Sequence, residues 1–187
     1  MTLFDRVFGG SDYNYNRTVA AIDNAIATYG EGAAVSFPDT AYSLPCYYAV
    51  TGEKIGTLGE MKAAMATIKG KMTRNNRLHD AFDSGVASAL CAEFLEVLKY
   101  LHGAEPYAEP EMGFLTDSFV RNLGLPLVTL DIPGVAVIIG GAEDPAETVA
   151  LAKSYQAQGI LVTLTGDAIK HCYDAGMSLG EGVRVVP

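Results

Sequence analysis

The chain has 187 residues, of which 49% are hydrophobic and 19% charged, with 13 basic against 22 acidic side chains for a net charge of −9. This is the composition of one folded domain or two small ones, not of a disordered chain. Its acidity leaves no basic stripe to neutralise phosphates and so excludes nucleic acid as a partner. No run reaches the roughly 18 apolar residues of a membrane span, and residues 1–10 mix acid and base without a signal-peptide core, so a cytoplasmic protein is expected. Cys46, Cys91 and Cys172 lie far apart with no Cys-x-x-Cys spacing, which is neither a disulfide framework nor a metal site; Cys91, in an apolar helical face, reads as a small buried hydrophobe.

Residues 2–8 read as a short amphipathic helix with Leu3, Phe4, Val7 and Phe8 on one face, broken by Gly9-Gly10-Ser11. From Asn16, the spacing Val19, Ile22, Ile26, Tyr29 predicts a helix stopped by Gly30. The stretch 37–52 follows, with two prolines and three tyrosines. Pro38 holds Phe37 extended, and Asp39 or Thr40 can cap a short turn. Ser43 reads as the N-cap of a helix with Pro45 in its first turn, and Gly52 as its left-handed end. Two readings stand here: a stapled loop-to-helix corner, or a rigid corner presenting aromatic surface to a partner.

Thr57-Leu58-Gly59-Glu60 is a capping box, opening a helix to about Lys71 with Leu58, Met61, Met65 and Ile68 on one side. Lys69, Lys71, Arg74 and Arg77 complement its C-terminal dipole or form a docking patch. Residues 78–101 carry the longest helical pattern. Leu78, Phe82, Val86, Ala89, Phe94, Val97, Leu98 and Leu101 make its apolar stripe, interrupted by Gly85, Ala87, Ser88 and Ala89, while Glu96, Lys99 and Tyr100 fall on a polar side. His79 and His102 have no second ligand at helical spacing. Residues 102–111, with Gly103, Pro106 and Pro110, break the helix and suggest a boundary between units 1–103 and 104–187. Thr116-Asp117 caps a short helix over 118–123.

Beyond residue 125 the period changes. Residues 127–130 form a short strand, and 135–139 are the clearest buried strand. Asp144-Pro145-Ala146-Glu147 opens a helix running to Gly159. Residues 160–164 are a strand, 167–175 a helix and 183–186 a third strand. The order β-α-β-α-β predicts an α/β fold: a helical N-terminal part followed by a Rossmann-like parallel sheet flanked by helices, with right-handed crossovers. A last strand ending at Pro187 leaves a bare sheet edge, which suggests a piece of a longer protein.

Chemistry is thin. After Gly140-Gly141 the chain lacks the Gly-x-Gly-x-x-Gly fingerprint, and Glu143 and Asp144 place negative charge where a pyrophosphate would sit. Asp167 resembles a ribose-binding acid by position, but reads better as the cap of its own helix. Ser43 and Ser84 have no neighbouring His, no Gly-x-Ser-x-Gly elbow occurs, and His171-Cys172, adjacent in a helix, point apart.

Phe37-Pro38-Asp39-Thr40-Ala41-Tyr42-Ser43-Leu44-Pro45, followed by Thr51-Gly52-Glu53-Lys54, resembles the N-terminal region of CO-methylating acetyl-CoA synthase. The similarity continues at Pro106-Tyr107-Ala108-Glu109-Pro110, at Gly113-Phe114, and from Leu125-Pro126-Leu127-Val128 to Asp131-Ile132-Pro133-Gly134. The resemblance implies a parent enzyme that makes acetyl-CoA from CO, a methyl group delivered by a corrinoid iron-sulfur protein, and coenzyme A. It places that chemistry at an A-cluster of nickel and a 4Fe-4S cluster, held by cysteines in a C-terminal domain whose motifs are absent here. No catalytic, cofactor or metal residue therefore carries over, and the isolated chain is expected to be inactive. For this domain the resemblance implies docking on the CO dehydrogenase subunit and a share in the tunnel that carries CO. Small residues such as Gly85 and Ala89 suit an apolar passage or tight packing equally. Leu3, Phe4, Val7, Phe8, Phe37, Asp39 and Tyr42 are the expected partner-facing residues, on their aromatic density and Gly/Pro punctuation. Two alternatives are a free-standing nucleotide-binding regulator and a structural interaction module of another complex.

Overall fold

A computed structural model describes residues 10–38, 41, 43–71, 84–101, 128–132, 136–140, 144–180 and 182–186. Four helices lead: α1 (Gly10–Tyr29), α2 (Ser43–Thr51), α3 (Leu58–Lys71) and α4 (Ser84–Leu101). They are followed by β1 (Val128–Ile132), β2 (Ala136–Gly140), α5 (Pro145–Ala157), β3 (Leu161–Thr165), α6 (Asp167–Asp174) and β4 (Val183–Val186).

Local chemistry places most helix ends. In the Thr57/Glu60 box the Glu60 N–H donates to Thr57 Oγ1 at 3.2 Å and the Thr57 N–H to Glu60 Oε2 at 3.1 Å, so each side chain satisfies an orphan donor of the other. Asp144 caps α5 by accepting from the N–H groups of Ala146 and Glu147 at 2.8 and 3.4 Å, with Pro145 first in the helix. Helix α1 departs from expectation by starting six residues before Asn16. Gly10 and Ser11 open it rather than break the chain, because the first N–H groups of a helix need no intrahelical acceptor. Tyr29 is 46% exposed, while Ile22 and Ala25 are fully buried; the apolar stripe has wound off the core by the last turn. The helical segments expected at 2–8 and 118–123, and the start of the one at 78–101, lie outside the described residues.

The expected stripes do the packing. Leu58, Met61, Met65 and Ile68 of α3 are at most 1% exposed, and Val86, Ala89, Phe94, Val97 and Leu98 of α4 are buried, as is Leu90. Helix α1 packs against both α3 and α4.

The four described strands run in the order β1-β2-β3-β4. The pairs β2–β3 and β3–β4 are parallel, joined by α5 and α6, which pack on each other; this is the β-α-β-α-β unit read from the sequence. Beyond that unit, the short strand β1 pairs antiparallel with β2 from Val128↔Gly140 to Ile132↔Ala136. Only Pro133-Gly134-Val135 separates the two strands, too few residues for a crossover and enough for a hairpin. Helices α2 and α4 pack against the outermost strand β4, whose core-facing Val183 and Val185 are 2% and 0% exposed. One apolar cluster runs from Ile22 of α1 through α2, α3 and α4 to Val185 of β4.

Candidate functional site

The segment leading into α2 is held from below. Val35 is buried, with its N–H bonded to Gly56 O at 2.9 Å. The half-buried Phe37 ring lies 5.7 Å from that of Phe94 at an angle of 51°, a tilted pairing of the kind aromatic quadrupoles favour. The Ala41 N–H closes a turn onto Pro38 O at 2.9 Å. Every residue of α2 from Ser43 to Val50 is buried.

A carboxylate that sequence reasoning missed closes the N-terminus of α2. Glu93 of α4 is 1% exposed and accepts the Ser43 N–H at 3.0 and 3.3 Å; the Ser43 hydroxyl also donates to it. Ser43 is therefore the first residue of the helix and not its self-supplied cap. An anion at a helix N-terminus meets both orphan donors and the positive end of the dipole. The available signal was an acid lying within the apolar spacing Val86, Leu90, Glu93, Val97.

At the other end of α2, Gly52 adopts φ +72° and its N–H bonds to Tyr48 O at 2.8 Å, the left-handed stop expected. The Tyr47 hydroxyl donates to Glu53 Oε2 at 2.9 Å; burial, with this carboxylate partner, pushes its pKa up to about 12. The Tyr48 and Tyr173 rings meet edge to face at 5.4 Å. Lys54 Nζ lies 5.4 and 4.8 Å from their two centroids, close enough for cation–π attraction.

Corner and crossover helix enclose a groove of about 400 Å³ lined by Phe37, Pro38, Ala41, Leu44, Lys170, Tyr173 and Asp174. The exposed Lys170 and Asp174 pair across one turn of α6 at 3.0 Å. The lining contains no cysteine, serine or histidine and so no hydroxyl–imidazole or thiol–imidazole pair for covalent chemistry.

Of the expected partner-facing residues, Phe37 lines this groove; Leu3, Phe4, Val7, Phe8, Asp39 and Tyr42 lie outside the described residues, as do Arg74, Arg77, His79 and His102. Lys170, Tyr173 and Asp174 were not anticipated, because only the fold brings α6 to the corner. The nucleotide-type features dissolve. Asp144 spends its carboxylate on its own helix, and the described strand order never reverses, which removes the switch point where α/β sheets gather nucleotides. Asp167 is not the cap of α6: Gly166, at φ +61°, holds that position without a side-chain bond, because the tight turn out of β3 requires a left-handed backbone that disfavours Asp. Asp167 falls in the first turn instead.

The three cysteines do not suit a cluster. Cys46, Cys91 and Cys172 sit buried on α2, α4 and α6, and burial raises the thiols of Cys91 and Cys172, the latter to about 11, which opposes the thiolate a metal needs. Among the described residues no three His, Cys, Asp or Glu side chains converge as a metal-holding group. His171 is half-buried while Cys172 is fully buried, so they diverge as adjacent helical residues should.

Residues 19–101 match the family of carbon monoxide dehydrogenase subunit alpha N-terminal domains. The chain is 36% identical over 157 residues to acetyl-CoA decarbonylase/synthase complex subunit beta 1 of Methanocaldococcus jannaschii, covering 84% of this chain and 21% of that protein. It is 29% identical over 183 residues to carbon monoxide dehydrogenase/acetyl-CoA synthase subunit alpha of Moorella thermoacetica, covering 96% and 25% respectively. The chain thus spans between a fifth and a quarter of the length of these relatives. The corner, Glu93 and the buried stripes of α3 and α4 all fall inside the matched span, and the chain belongs to the acetyl-CoA synthase family, in which it is an N-terminal domain.

Proposed function

We propose that this chain is the docking domain of an acetyl-CoA synthase. In this reading the parent enzyme works in the cytoplasm and joins CO, a methyl group from a corrinoid iron-sulfur protein and coenzyme A. That chemistry occurs at a nickel and 4Fe-4S centre carried elsewhere in the polypeptide. The 187-residue chain does no chemistry alone: it seats the enzyme on a CO dehydrogenase subunit, and the small-residue face of α4 borders the path of CO. Units 1–103 and 104–187 act together, with α2 as the joint between them. The family match over residues 19–101 carries this reading, since it covers the corner whole. Two features support it physically: Phe37 is half-buried and rigidly backed by Phe94, and an aromatic anchor held in one conformation loses little entropy on binding.

The test is to mix the purified chain with the CO dehydrogenase of the same source and measure the eluting mass by light scattering. Co-elution at fixed stoichiometry is expected, with Phe37→Ala weakening it by about tenfold or more, as for an interface hot spot. Separate elution of the wild-type chain refutes docking by this domain. Equal binding by Phe37→Ala removes the corner from the interface. Bound nickel or iron in the purified chain refutes its chemical inertness.

A further inference from the structure

Strands β3 and β4 have two unlike faces. Alternation sends Val162, Leu164, Val183 and Val185 into the shared core and turns Thr163, Thr165 and Arg184 to the opposite side. Thr163 is the register partner of Arg184, so their backbones run about 5 Å apart, with Thr165 on the diagonal roughly 7–8 Å away. Arg184 is the sole ionisable residue of these two strands, and Thr163 and Thr165 are 9% and 5% exposed.

Two atoms of this trio are shut off from solvent without a hydrogen-bond partner: Thr165 Oγ1 and Arg184 Nε. Buried polar atoms are nearly always satisfied, and here the Nε edge of a half-buried arginine is not. Nε–H and the adjacent Nη–H form the side edge of a guanidinium, whose spacing matches two oxygens of a carboxylate or phosphate. The Thr165 hydroxyl supplies a further donor beside it. Gly140, the register partner of Thr165, leaves room for that side chain, since a Cβ there would come within 3.2 Å of Thr165 Cγ2.

We propose that Arg184, Thr165 and Thr163 form a binding site for an oxyanion, either a carboxylate or a phosphate group, on the sheet face opposite the shared core. Nothing in this site depends on docking to CO dehydrogenase. With 22 acidic residues against 13 basic ones, diffuse attraction of anions is unfavourable, so any saturable binding belongs to the site itself.

The test follows the Arg184 Nε–H proton–nitrogen NMR signal, assigned through Arg184→Lys, while inorganic phosphate and, separately, acetate are added to the chain. A saturable shift of that signal and of the Thr165 amide is expected, with the stronger of the two anions identifying the source. Arg184→Gln should lower affinity by about tenfold or more. Thr165→Val, which leaves the charge in place, should weaken it by a smaller factor. Circular dichroism of each variant separates loss of binding from loss of folding. Linear, unsaturable shifts, or shifts undiminished in folded Arg184→Gln, overturn the proposal. A signal already hydrogen-bonded and unmoved by either anion also overturns it, because the protein then fills the place with a carboxylate of its own.

Discussion

Glu93→Ala should be among the most destabilising substitutions in this chain. The Glu93 carboxylate, 1% exposed, receives both the backbone N–H and the hydroxyl of Ser43. Truncation leaves both donors buried and unmet at about 1–3 kcal/mol each and adds a cavity where the side chain stood. A loss of about 3–5 kcal/mol follows, a large share of the roughly 5–15 kcal/mol that holds a typical domain folded. Glu93→Gln keeps shape and one acceptor and gives up charge at a helix N-terminus, for about 1–2 kcal/mol. Ser43→Ala keeps the N–H bond and loses the hydroxyl, for about 1 kcal/mol. Urea unfolding followed by far-ultraviolet circular dichroism reads all three. Glu93→Ala should lower the midpoint by about 1–2 M at unchanged slope. If its stability falls within about 0.5 kcal/mol of wild type, the usual effect of a neutral surface change, then Glu93 does not hold the corner.

Tyr47 gives a pH signature. Its folded pKa, raised to about 12 from 10.0, means that the unfolded chain loses this proton first. Its stabilising contribution is complete below pH 10 and lost as pH rises towards 12; Tyr47→Phe should flatten that part of the stability–pH curve. Gly52→Ala should cost about 1–2 kcal/mol, because φ +72° is left-handed and the new methyl meets Ser178 Oγ at 3.1 Å; thermal unfolding measures it. Asp144→Ala removes the two capping bonds of α5 and should cost about 1 kcal/mol, whereas Asp144→Ser should restore most of it in the same assay.

Local chemistry alone determined much of this protein. The Thr57/Glu60 box, the Asp144-Pro145 start and the Gly30 and Gly52 stops depend on groups within a few residues of one another, so the amino-acid order specifies them directly. The apolar periods of α3 and α4 and the three parallel strands were legible for the same reason: burial of a repeating face is written in spacing. What the order of residues could not decide is anything resting on a contact between distant segments. Ser43 reads as its own cap until α4 brings in Glu93, fifty residues on. Phe37 becomes one wall of a groove only when α6 supplies Lys170, Tyr173 and Asp174 as the other. The pairing of Arg184 with Thr163 likewise exists only through register. Such neighbours are chosen by the packing of whole faces, in which many weak apolar contacts act together, and no short motif encodes that choice.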